Sequence, residues 1–212
     1  GCACGMIDFS TLKALIIPEG EVKSIATNGI VFWEKPKEIV VVDYLQFNAD
    51  MVFDTNVVCT QNTKIEVEFT RESRESRYFY GVRNSENTAS VTAYLAQSGA
   101  WRFGNTYRNF SLSQGDNNIH SMTVSKAGYL VDGKEYDFVG TLKNFTANAT
   151  LVLGSTRTTA GAYSAPQFIG KVYSFKMYDN GNLILDWQPC TADGEYGFYD
   201  KVTKGFINPI EL

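Results

Sequence analysis

Two glutamates, a single histidine and a stretch of aromatic, amide and guanidinium side chains are the groups here whose types and spacing could do chemistry. Glu66 and Glu68 sit two residues apart in Lys64-Ile65-Glu66-Val67-Glu68-Phe69, so strand alternation puts both on one face. Paired carboxylates can flank a glycosidic bond, one as acid and one as nucleophile or base. Lys64 continues the same face, however, and Lys-Glu-Glu is the pattern of a solvated sheet surface. His120, the only histidine, would have to serve any Ser-His-Asp triad. Its neighbours Ile119 and Ser121 supply no G-x-S-x-G elbow, so it reads as a strand-edge histidine. No phosphate loop or dinucleotide fingerprint occurs, and catalysis is not expected.

Sugar recognition needs different chemistry. An aromatic ring lies against the C–H face, and fixed amide or guanidinium donors read the hydroxyls. The segment 78–110 concentrates such groups, and the candidate glycan-binding residues are Trp101, Arg102, Asn105, Tyr80, Arg83, Tyr94 and Tyr107. Trp101-Arg102-Phe103-Gly104-Asn105 is the centre of this set, with Gly104 allowing close approach. About half of the aromatics on such strands must face an interior. Phe79, Leu95 and Phe103 are expected there, with Trp33 and Trp187 as packing residues.

These groups have to be positioned by strands. Period-two patterns run through Ile65/Val67/Phe69, Met122/Val124 and Tyr173/Phe175/Met177, and no sustained 3.6-residue apolar period is present. Asn28-Gly29, Asp132-Gly133 and Asn180-Gly181 each lie between β-prone runs, the strongest short hairpin signal. Many short strands with tight turns predict an all-β sandwich or barrel. Lys35-Pro36-Lys37-Glu38 is a charged break near the start of the chain. Thr70–Arg77 alternates charges of both signs and is expected as a solvated loop.

At 212 residues the chain has room for one sandwich and a small appendage. Aromatics at 14% favour strands. A net charge of −4 argues against nucleic acid, which requires a basic face. No apolar run is long enough to span a membrane. Cys2 and Cys4 fall short of the four ligands of a structural zinc site, and Cys59 and Cys190 read as small buried hydrophobes. Met6 resembles a natural start, which makes 1–5 a leader or cloning remnant.

The opening from Met6, with Ile7-Asp8-Phe9-Ser10-Thr11-Leu12-Lys13, Ile17-Pro18-Glu19-Gly20 and Asn28-Gly29-Ile30-Val31-Phe32-Trp33, resembles the N-terminal segment of phage and prophage tail-associated proteins. A second resemblance covers roughly residues 44–208. It is carried by Tyr44–Ala49, Thr63–Phe69, Phe79–Arg83, His120–Val124, Leu130–Lys134 and, above all, Ile169–Thr203. This stretch is similar to concanavalin A-like jelly rolls of the laminin-G/pentraxin type. In that fold strands 78–110 lie in the concave sheet, where ligands often sit. Relatives that are glycoside hydrolases carry Glu-x-Asp-x-x-Glu on one strand; this chain has Glu68 for the Asp and Arg71 for the last carboxylate. Calcium, which laminin-G relatives hold through loop acids, would have Asp54, Asp116, Asp132 and Asp193 to draw on, but no D-x-D-x-D-G run is present. No cofactor or metal is expected.

The expectation is therefore an all-β, concanavalin A-like jelly-roll β-sandwich with a small N-terminal β-hairpin module. The divisions are a leader at 1–5, an attachment module at 6–36, a linker at 37–43 and the sandwich at 44–212. The resemblances imply a non-catalytic virion protein, exposed on the particle, that binds host-surface or mucus glycans and contacts other virion proteins through its N-terminal module. The alternatives are a structural virion protein without ligand and, more remotely, a hydrolase relative. A homo-oligomer stays open, since tail proteins commonly form them and no coiled-coil heptads are present.

Overall fold

β-Branched and aromatic runs punctuated by Gly- and Asn-containing turns give a chain built of strands. The computed structural model describes residues 24–27, 30–34, 37–96, 99–111, 117–158, 161–165 and 167–210, and among them there is no helix. In chain order the strands are β1 (Ser24–Thr27), β2 (Ile30–Glu34), β3 (Ile39–Val41), β4 (Leu45–Asn48), β5 (Phe53–Thr60), β6 (Thr63–Thr70), β7 (Arg77–Arg83), β8 (Ser90–Leu95), β9 (Gly99–Gly104) and β10 (Thr106–Phe110). They continue as β11 (Ile119–Ser125), β12 (Gly128–Val131), β13 (Lys134–Tyr136), β14 (Thr146–Leu153), β15 (Arg157–Thr158), β16 (Ile169–Asp179), β17 (Asn182–Ala192), β18 (Glu195–Asp200) and β19 (Gly205–Ile207).

The chain divides into two units, Gly1–Lys37 and Glu38–Leu212. In the first, β1 and β2 form an antiparallel hairpin with Ser24 opposite Glu34 and Thr27 opposite Ile30. Asn28-Gly29 and the expected segment 6–23 lie outside the described residues.

The second unit is a two-sheet jelly-roll sandwich. One sheet runs β10-β9-β8-β7-β14-β5, with β15 also on β7; the other runs β13-β12-β11-β6-β16-β17-β18-β19, with β3 on β17 and β4 on β16. Residues 37–43, expected as a linker, thus contain a strand of the sandwich: Ile39–Val41 pairs with Cys190–Ala192. Alternation fills the space between the sheets. Ile65, Val67 and Phe69 of β6 are buried, while Lys64, Glu66 and Glu68 face out. Phe47, Phe53, Phe168, Phe175, Trp187 and Phe198 form one aromatic chain at centroid distances of 4.9–6.5 Å. Cys59 and Cys190 are free and buried, and burial pushes the Cys59 thiol up to about 12. Asp132-Gly133 and Asn180-Gly181 have positive φ at both residues and close their hairpins as expected.

Two local features depart from simple alternation. A bulge between Val172 and Ser174 turns Tyr173 away from the buried face of Phe175 and Met177, against Tyr44 at 5.8 Å. Arg71, expected in a solvated loop, is buried, and its guanidinium donates to the carbonyls of Leu95 (3.3 Å), Ala96 (3.4 Å) and Glu75 (3.4 Å).

The β16–β17 ladder also stops partway. It pairs Asp179–Phe175 with Asn182–Trp187, after which the strands part. Pro189 stands at the division. It has no N–H to give a ladder, and its carbonyl instead accepts the N–H of Val42 at 3.0 Å. Beyond it β17 takes β3 as neighbour and β16 takes β4, so the residues between β3 and β4 lie in a fork of the larger sheet.

Candidate functional site

Strands β7 to β10 form a meander, and their outward residues fall into register. Gly81 is opposite Thr92, Thr92 opposite Arg102, and Arg102 opposite Tyr107. One pair along, Tyr78 faces Tyr94 with ring centroids 4.7 Å apart. With strands spaced by about 4.8 Å, the four strands carry this face about 15 Å across the sheet; Gly81 has no side chain and Thr92 is buried, so Arg102 and Tyr107 are what this row presents. Arg102 is half-buried, with its guanidinium 5.9 Å from the Tyr107 ring centroid, and Tyr107 is 36% exposed. Arg83, at the end of β7, is exposed. The segment after β14 walls one side of this face. Thr156 lies directly over Gly81, where any Cβ would meet its Oγ1 at 2.8 Å, and Ser155 and Thr156 are fully buried. Arg157 closes that wall by donating to Asp54 at 2.8 Å and to the Tyr163 hydroxyl at 3.0 Å.

Of the seven side chains expected in the site, Arg102, Tyr107, Tyr94 and Arg83 stand on this face, and three do not. Trp101 is 1% exposed; its ring packs on Phe110 (4.6 Å) and Tyr129 (6.0 Å), and its indole N–H donates to the Tyr94 carbonyl at 3.1 Å. The reason is parity, since Trp101 shares a strand face with the buried Phe103. Tyr80 is also 1% exposed. A bulge between Tyr78 and Tyr80 sends both Phe79 and Tyr80 inward, and the Tyr80 hydroxyl lies 3.7 Å from the Met122 sulfur. Burial, reinforced by Tyr129 and Cys59, holds that phenol well above the ordinary tyrosine range. Asn105 is consumed by structure, its amide donating to the Thr141 carbonyl (2.9 Å) and accepting from the Lys143 N–H (2.8 Å). Gly104 allows close approach to a protein ring instead of a ligand: with φ +62° it turns the β9–β10 hairpin, and Phe145 fills the space of its missing side chain. Tyr78, half-buried, faces Tyr94 on the same side of the sheet.

The paired carboxylates stand on the outer face of the larger sheet. Lys64 lies 2.5 Å from Glu66, the Tyr178 hydroxyl donates to Glu66 at 2.9 Å, and the Ser174 hydroxyl donates to Glu68 at 3.3 Å. Partial burial pushes the Glu66 carboxyl upward, but hydrogen bonds from Lys64 and Tyr178, with the charges of Lys64 and Lys176, outweigh it and leave the group below its ordinary value. A glycosidic acid requires the opposite bias. His120 Nδ1 is 2.8 Å from Asp132, whose other oxygen accepts the Ser121 N–H at 2.9 Å, so this pair ties the hairpin turn to β11. The expected calcium-loop acids are otherwise engaged. Asp54 holds Arg157, Asp132 holds His120, and Asp193 lies in a positive-φ turn and accepts the Glu38 N–H at 3.2 Å. Asp116 lies outside the described residues. Among the described residues, no group of three His, Cys, Asp or Glu side chains is placed to hold a metal ion.

No family profile matches the sequence, and no curated protein matches it by sequence comparison. Among solved structures the chain is similar to the native heptameric SAP-like pentraxin from Limulus polyphemus, with a TM-score of 0.43 and 11% identity over 69% of this chain and 76% of that one. The sheet order and burial alternation described above are those of an all-β, two-sheet jelly-roll sandwich.

Proposed function

We propose that this chain is a non-catalytic glycan-binding protein of a phage or prophage particle, attached through residues 6–36 and presenting the outer face of the β7–β10 meander to surface or mucus glycans. The carrying observation is the register of the meander: adjacent strands place Tyr78, Tyr94, Arg102 and Tyr107 on one outward face, the first three half-buried and Tyr107 exposed. Tyrosine rings supply platforms for the C–H faces of successive sugars, and Arg102 supplies a planar donor fork for hydroxyls. The about 15 Å extent of the face suits an extended chain of a few sugar units better than a single ring. The particle context is supported by the N-terminal resemblance, and the absence of catalysis by Glu66, which is hydrogen-bonded to Lys64 and Tyr178 and biased toward the ionised form.

A glycan array with the purified chain, run with and without calcium, tests the proposal. Removing one charged hydrogen-bonding group costs about 1.5–3 kcal/mol, so Arg102→Ala should weaken any hit by about tenfold or more. Tyr107→Ala should weaken it too, and neither change should move the melting temperature by more than about 2 °C, since both side chains project from the sheet. A blank array repeated with host envelope fractions would leave a structural particle protein as the better reading.

A further inference from the structure

The fork left by β16 and β17 holds a cleft of about 640 Å³, within the range of about 300–1,000 Å³ in which small ligands bind. Asp43, Tyr44, Gln46, Asn48, Asp50 and Tyr196 supply its chemistry. Tyr196 is 61% exposed and Tyr44 39%, so folding leaves two large rings in water beside one concavity. Tyr196 projects from β18 opposite Thr191, and Tyr44 sits in the bend between β3 and β4. Tyr44 rests on Tyr173 of β16 while the strand of Tyr196 pairs with β17, so the two rings flank the fork from its two sides.

Electrostatics narrow what fits. The Lys171 ammonium lies 4.4 Å from the Tyr44 ring centroid and 3.8 Å from Glu72, and Gln46 donates to Glu72 at 3.0 Å and to the Gly170 carbonyl at 3.3 Å. The ring quadrupole of Tyr44 is thus already engaged by a cation, and a cationic ligand on the same ring would meet that charge. The carboxylates of Asp43 and Asp50 repel anions but accept from hydroxyls. Asp50 is held in place by accepting the Asn48 N–H at 3.1 Å. An uncharged ring bearing several hydroxyl donors and an apolar C–H face meets all of these conditions.

We infer that the fork cleft is a second carbohydrate subsite, taking a neutral pyranose. Tyr196 is its stacking ring, and Asp43 and Asp50 are its hydroxyl acceptors. It shares no residue with the meander face and does not rest on that reading. The two subsites lie on different sheets, so one molecule can hold two glycan chains at once.

The test uses the whole chain with the methyl glycosides of glucose, galactose, mannose and N-acetylglucosamine, read by saturation-transfer and ¹H–¹⁵N shift NMR. At least one glycoside should saturate at millimolar concentration and shift the amides of residues 43–50 and 196. Tyr196→Ala and Asp43→Asn should each weaken it by about tenfold with the melting temperature unchanged, while Tyr107→Ala leaves it intact. The inference is overturned if no glycoside saturates, if Tyr107→Ala alone removes the signal, or if tetramethylammonium binds the fork in preference to every glycoside. Loss of array binding in Arg102→Ala with an intact fork signal would sustain the meander site independently, whereas array binding kept in Arg102→Ala but lost in Tyr196→Ala would sustain the fork alone.

Discussion

Trp101→Ala separates a core residue from a sugar platform. The indole is 1% exposed, packed on Phe110 and Tyr129, and hydrogen-bonded to the Tyr94 carbonyl. Truncating a buried tryptophan costs about 3–5 kcal/mol through lost transfer free energy and the cavity left behind. The abandoned Tyr94 carbonyl adds about 1 kcal/mol. A total of about 4–6 kcal/mol is a large part of the 5–15 kcal/mol typical of a folded domain, and at about 2–4 °C per kcal/mol it lowers the melting temperature by roughly 10–20 °C. Urea unfolding followed by circular dichroism should show the same loss as a shifted midpoint. Trp101→Phe, which keeps a ring but not the N–H, should fall between the two. Glycan affinity measured well below the variant's melting temperature should match the parent chain. A melting temperature within about 2 °C of the parent, combined with lost binding, would refute the packing argument and return Trp101 to the surface.

Asn105→Ala removes both hydrogen bonds that tie the β9–β10 turn to residues 141–143, and should cost about 1–2 kcal/mol and speed exchange of the Lys143 amide. Unchanged exchange at Lys143 would mean that the loop is held by other contacts. Glu66 has a folded-state carboxyl below its ordinary value of 4.5. Its contribution to stability is therefore complete above about pH 4.5 and is lost as the pH falls through the lower folded value. The urea midpoint of the parent should fall more steeply between pH 6 and pH 3 than that of Glu66→Gln. Parallel curves would show that the Lys64–Glu66–Tyr178 cluster does not bias the carboxyl.

Turns and alternation are legible in the sequence, because Asn-Gly and Asp-Gly pairs and period-two patterns act over a few residues. The inward Ile65, Val67 and Phe69 and the turns at Asp132 and Asn180 follow from such local rules. Trp101 was readable in the same way: expecting Phe103 inside already commits its neighbour two positions back to the same face. Tyr80 and Tyr173 were not, because each depends on a bulge, and one extra residue reverses every side chain beyond it without marking itself in residue type. Asn105, and Arg71 apart from its bond to Glu75, have polar partners 24–38 residues away, so their structural roles exist only once the strands are assembled. The fork had one local signal, a proline in the middle of a strand-like run, although nothing in the sequence says which strands it parts.

The order in which the two sheets can close has a consequence for how the protein is made. Strands β7 to β10 occupy the contiguous stretch Arg77–Phe110, whereas β6 finds its partner β16 about 100 residues later. At about 5–20 residues per second, a ribosome that has released residue 110 needs about 3–12 s more to deliver β16. For that interval Phe79 and Tyr80 lack the rings of Phe168 and Phe175 that they pack against in the finished sandwich. Translation speed across residues 111–168 therefore sets how long a sticky half-sandwich persists in the cell, and a chaperone that holds the nascent chain there would raise the yield of soluble protein.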